Sequence, residues 1–72
     1  MVRRQANEEM VQGYMDGRDL ACPEPSGNRS NSYCHGFKVG RAEREGRWLG
    51  EFETVTRWAD EAMDADAAIV LA

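Results

Sequence analysis

Two glycine pairs, Gly13-x₃-Gly17 and Gly36-x₃-Gly40, sit inside stretches whose remaining residues follow a helical pattern. Residues four apart share one face of a helix, and each glycine in a helix interior costs about 1 kcal/mol relative to alanine. A cost incurred four times over calls for a reason, and two helices crossing at short range supply one. The alternative use of clustered glycine, a phosphate cradle, finds no support, because neither G-x₄-G-K-[ST] nor a strand-preceded G-x-G-x-x-G occurs.

The expected fold is therefore all-α, in one domain over residues 1–72. A first helix runs from about Gln5 to Gly17, with Met10, Val11, Tyr14 and Met15 as its apolar stripe and Asn7, Glu8 and Glu9 in its first turn. The segment from Arg18 to Gly27 is a loop, since Pro23 and Pro25 lack the backbone N–H that a helix interior needs. Asn28 or Ser30 caps a second helix by accepting from an orphan backbone N–H; Tyr33, Cys34 and Phe37 line its buried face, and Gly46 ends it. Trp48, Phe52, Val55, Ala59 and Ala62 follow a helical rhythm that predicts a third helix from about Arg47 to Ala65, with an acidic amphipathic segment at 47–66. An alternation of Phe52, Thr54, Thr56 and Trp58 would suit a strand, but the opposite face mixes Leu49, Val55 and charges, so helix is preferred. The expected architecture is an antiparallel hairpin packed about Tyr14, Tyr33 and Phe37, with the third helix laid across it or extending the second.

Only a thin core is available. Of the 72 residues, 30 are hydrophobic and 9 of those are alanine, which excludes a large enclosed substrate pocket. The longest apolar run, Ala67 to Ala72, falls far short of the roughly 20 residues that cross a bilayer. With no apolar stretch after Arg3 and Arg4 to make a signal peptide, a cytoplasmic setting is expected, with Cys22 and Cys34 reduced. Those thiols and His35 lack the spacing and the fourth ligand of a structural zinc site, and adjacent helix residues Cys34 and His35 point too far apart for a nucleophile–base pair. No metal, cofactor or catalytic residue is assigned, and enzyme is the least favoured class. The tail Ile69-Val70-Leu71-Ala72 reads as a loose chain end in preference to a packed cap or docking segment.

Charge is divided along the chain. Residues 1–47 carry eight Lys/Arg and seven Asp/Glu, whereas residues 48–72 carry Arg57 against six carboxylates. In the first part Lys38, Arg41, Arg44 and Arg47 recur every three residues, in the portion of a helix where the macrodipole favours cations. With Tyr33 and Phe37 they would make a surface for phosphates and unstacked bases. In the second part Glu51, Glu53, Asp60, Glu61, Asp64 and Asp66 would engage a basic protein surface that ordinarily takes nucleic acid. A third reading makes Trp48, Phe52 and Val55 a homodimer seam.

The order of residues adds a resemblance. Gly13-Tyr14-Met15-Asp16-Gly17, then Cys22-Pro23, then Asn28-Arg29-Ser30, Tyr33 and Gly36-Phe37 resembles the ribosome modulation factor family, which pairs a G-Y-x-x-G helix with a C-P loop and a second helix carrying R-S, an aromatic and G-[W/F]. The similarity covers about residues 8–45. It implies a small helical hairpin that docks on the 30S subunit near the 3′ end of its rRNA and favours inactive ribosomes in slow growth. Tyr14, Cys22, Pro23, Arg29, Tyr33, Gly36 and Phe37 match the pattern, chiefly as fold-defining positions. On this resemblance Arg29, Lys38, Arg41 and Arg44 contact rRNA phosphates while the acidic helix faces a ribosomal protein or another subunit.

Overall fold

The computed structural model describes the backbone of residues 1–71 and the side chains of residues 1–68. It consists of α1 (Arg3–Arg18), α2 (Asn31–Glu45) and α3 (Phe52–Leu71), with no strand among the described residues. The expectations for the Ile69–Ala72 tail concern side chains outside the described residues.

The ends of α2 follow from local chemistry. Ser30 is the N-cap, its Oγ accepting from the Tyr33 N–H at 3.1 Å, and Gly46 closes the helix in the left-handed conformation at φ 72°. That is the conformation a side chain resists and glycine adopts freely. α1 starts earlier than expected: the Gln5 side chain accepts from the Val2 N–H at 3.1 Å, so the first turn holds Arg3 and Arg4 in place of Asn7, Glu8 and Glu9. α3 starts later. Trp48 and Leu49 belong to the connector, and Gly50 at φ 152° gives the chain a turn that residues with side chains rarely adopt.

The glycines form the crossing. A methyl group built on Gly13 would lie 2.1 Å from the Tyr33 carbonyl oxygen, and one on Gly17 would lie 2.2 Å from that of Phe37. Reciprocally, Gly36 faces the Met10 carbonyl and Gly40 faces the Tyr14 carbonyl, each at 2.1 Å from the same hypothetical carbon. The hydrogens that stand where side chains would begin are thus aimed at carbonyls of the other helix, a geometry that suits weak Cα–H···O contacts.

This register corrects the expected antiparallel sense. One turn forward on α1, from Gly13 to Gly17, moves the contact one turn forward on α2, from Tyr33 to Phe37. The two helices therefore run in the same general sense through the crossing, as interlocking i±4 ridges allow. Consistently, Ser30 at the start of α2 donates to Glu9 (2.5 Å), while Glu43 near its end accepts from Arg18 at the end of α1 (3.2 Å). Residues 19–30 must then return alongside the helices, with a hydrogen-bonded turn at each end, and their two prolines keep that passage from coiling into helix.

Burial follows the crossing more than the apolar stripes. Tyr33 and Phe37 are the large buried side chains, each 4% exposed, and Ala6 and Ala42 are buried as well. Val11 and Met15, expected on the buried face of α1, are exposed, because glycine and alanine occupy the face that meets α2. Trp48 and Phe52 are exposed as well, at 77% and 83%, so the stripe that was to be continuous from Trp48 to Ala62 packs only from Val55 onward.

α3 is fastened to the other helices by polar groups at one end. Arg3 reaches Asp60 at 3.1 Å and also pairs with Asp64. Asp66, 2% exposed, accepts from the Asn31 N–H (3.1 Å), the Ser32 N–H (2.7 Å) and the Ser32 hydroxyl (2.5 Å). A carboxylate from the third helix thereby satisfies the first two orphan donors of the second and lies at the positive end of its dipole.

Candidate functional site

Along α2 the cations separate by environment. Arg41 points inward: its Nε donates to the Gly17 carbonyl (2.7 Å) and its Nη2 to those of Asp19 (3.2 Å) and Cys22 (2.7 Å). These are the last carbonyls of α1 and the first of the returning loop, so Arg41 joins three segments while its guanidinium also covers the Phe37 ring at 4.8 Å. Lys38 and Arg44 are exposed. Arg29 lies over the Tyr33 ring, 3.6 Å from its centre, at the mouth of an open concavity shared with Asn28, Ser30 and Asn31.

Lys38, Arg41 and Arg47 converge on one shallow groove of about 280 Å³ between α2 and the returning loop, bounded by Pro25 and Cys34, with Phe37 beneath and Glu24 on its edge. Arg47 donates from Nε to Glu45 at 2.7 Å and remains mostly open to solvent. An exposed pair of this kind is worth about 0–1 kcal/mol and exchanges readily for a stronger anion. Arg47 belongs to the cationic rhythm of the sequence, yet only the position of the loop reveals that it and Lys38 share a groove.

The expected base-stacking surface does not form. Tyr33 and Phe37 are buried between the helices, and the Tyr33 hydroxyl donates to Asp16 at 2.5 Å. That bond to a carboxylate, aided by burial, pushes the phenol up to about 12, so it stays protonated across any physiological range. The Tyr14 hydroxyl donates to Glu43 at 2.6 Å, and this bond raises its pKa too. Both tyrosines therefore act as structural donors. His35 sits half-buried among the helices, where burial, followed by the nearby Lys38 charge, lowers its pKa and favours the neutral ring.

The acidic set is likewise divided. Asp66 is internal, which corrects its assignment to a partner surface, and Asp60 and Asp64 engage Arg3. Glu51, Glu53 and Glu61 are exposed and make no ion pair among the described residues. Cys22 and Cys34 are free thiols, both half-buried. Among the described residues no group of three metal-ligating side chains gathers, and no helix is long and apolar enough to cross a membrane. No family model, curated protein or solved structure matches the chain.

Proposed function

We propose that this is a non-catalytic cytoplasmic regulator that, like the ribosome modulation factor family it resembles, binds the small ribosomal subunit through rRNA phosphates and restrains translation in slow growth. The observation that carries the reading is the groove in which Lys38, Arg41 and Arg47 converge beside the Cys22–Pro25 loop. A positively lined trough that follows a backbone is what binding to a single strand needs, and Arg44 and Arg29 extend the charge along and before α2. Of the motif residues that suggest the family, Gly13, Gly17 and Gly36 make the crossing together with Gly40, and Tyr33 and Phe37 fill it, while Arg41, outside the motif, ties the loop to it. In this reading Tyr33, Phe37 and Arg41 shape the surface, and the exposed cations make the contacts.

The triple variant Lys38→Ala, Arg44→Ala, Arg47→Ala leaves the buried residues untouched and should retain full helicity. Its affinity for isolated 30S subunits should fall, and the slope of log K against log salt should become shallower by about 2, at roughly 0.7 for each lost phosphate contact on a single strand. Unchanged affinity and slope would sink the ribosomal reading.

A further inference from the structure

On another face of the molecule two apolar grooves meet. The first, about 310 Å³, lies where the three helices come together and is lined by Met10, Val11, Tyr14, Val39, Val55 and Ala59, among others. The second, about 280 Å³, is lined by Ala42, Trp48, Leu49 and Phe52 and shares Val39 and Val55 with the first. The apolar lining is thus unbroken from Val11 on α1 to Trp48 in the connector. Phe52 follows the same rhythm as Val55 and Ala59 but stands at the first residue of α3, and 83% of it meets solvent. Trp48 beside it is 77% exposed. A Trp and a Phe presented together over an apolar floor have the composition of an interface anchor.

We infer that this channel receives an amphipathic helix of a partner protein, apolar along one stripe and bearing Lys or Arg on its flanks. Shape favours a helix, because a trough between helices accepts side chains spaced one turn apart. Charge selects its sign. Glu51 and Glu53 flank Phe52, are exposed and make no ion pair among the described residues. At the Trp48 end Glu43 is held by Arg18 and the Tyr14 hydroxyl and Arg47 pairs with Glu45, so these charges offset one another and the uncompensated ones are Glu51 and Glu53. A second copy of this chain fits less well, since a two-fold contact centred on Phe52 would set Glu51 and Glu53 against their own equivalents. RNA binding uses the loop side of α2, and the two surfaces meet at Arg47, which lines both grooves.

The test uses the full chain with Trp58→Phe, so that Trp48 alone reports, and a synthetic helical Leu/Lys peptide as the probe. The peptide should shift Trp48 emission to the blue and saturate. Phe52→Ala should weaken it by about tenfold or more, as loss of an interface anchor does; this side chain packs so little that helicity should be unaltered. Glu51→Gln with Glu53→Gln should weaken it by a few-fold and flatten its salt dependence. Equal binding of a Leu/Glu peptide or of a scrambled Leu/Lys peptide would overturn the inference, as would indifference to Phe52→Ala. Sedimentation showing a dimer that Phe52→Ala dissociates would overturn it in favour of self-association. No RNA enters these measurements, so their failure is distinguishable from failure of the ribosomal reading.

Discussion

Gly36→Ala is expected to destabilise the protein by about 3 kcal/mol or more, at the upper end of what overpacking costs, although the same change in an isolated helix would stabilise it by about 1 kcal/mol. The added carbon would lie 2.1 Å from the Met10 carbonyl oxygen and 2.9 Å from the Tyr14 backbone nitrogen. Neither atom belongs to a side chain that can rotate away, so relief requires the helix axes to separate. Separation would loosen the three other glycine contacts and the packing of Tyr33 and Phe37 at once. Gly13→Ala should behave alike, its obstacle being the Tyr33 carbonyl. Gly27→Ala, with nothing within 4 Å of the new carbon, serves as the neutral control. Urea denaturation followed by circular dichroism reads all three, and a raised midpoint for Gly36→Ala would show that the helices do not touch as described.

Asp66→Ala should cost about 3 kcal/mol, because it leaves buried donors that had a charged acceptor without a partner. The affected groups are the Asn31 and Ser32 N–H groups and the Ser32 hydroxyl, so both the start of α2 and the seating of α3 should suffer. The same contact predicts an acid response. Burial pushes the Asp66 carboxyl up, but the bonds from the Ser32 hydroxyl, the Ser32 N–H and the Asn31 N–H outweigh it and hold the pKa below the ordinary carboxylate value. A depressed folded value means that the stabilisation is complete above the unfolded-chain pKa of about 3.9. It is lost as pH falls below that and through the folded value. Wild type should therefore lose stability over this acidic window more steeply than Asp66→Ala. Matching acid limbs, or a change at pH 7 within about 0.5 kcal/mol as for an ordinary surface residue, would contradict the role assigned to Asp66.

What the sequence discloses and what it withholds divide on physical lines. Ser30 and Gly46 are legible because caps act through their own backbone neighbourhood. The glycine pairs are legible because their spacing announces a close approach and little else explains them. Direction is a different matter: the same four glycines serve a crossing in either sense, and only the path of residues 19–30 decides. Periodicity marks a face without saying what lies across it, so Val11, Met15, Trp48 and Phe52 read as core while standing in solvent. Chemical type misleads in the same way. Arg41 belongs to a cationic stripe and Asp66 to an acidic one, yet each turns inward to meet backbone groups brought from more than twenty residues away or from another helix. The groove of Lys38, Arg41 and Arg47 depends on a loop whose return route no local pattern encodes.

These inward turns also shape the division of labour proposed for the surface. With Arg41 and Asp66 holding the frame, the cations beside the loop and the carboxylates beside Phe52 stay outside, on adjoining surfaces that meet at Arg47. The most direct measurement is amide chemical-shift mapping of the full chain titrated with a fragment of the 3′ end of small-subunit rRNA. The account predicts perturbations that cluster at Glu24, Lys38, Arg44 and Arg47 and fade as salt is raised. Shifts confined to residues 52–66, or none at low salt, would contradict it.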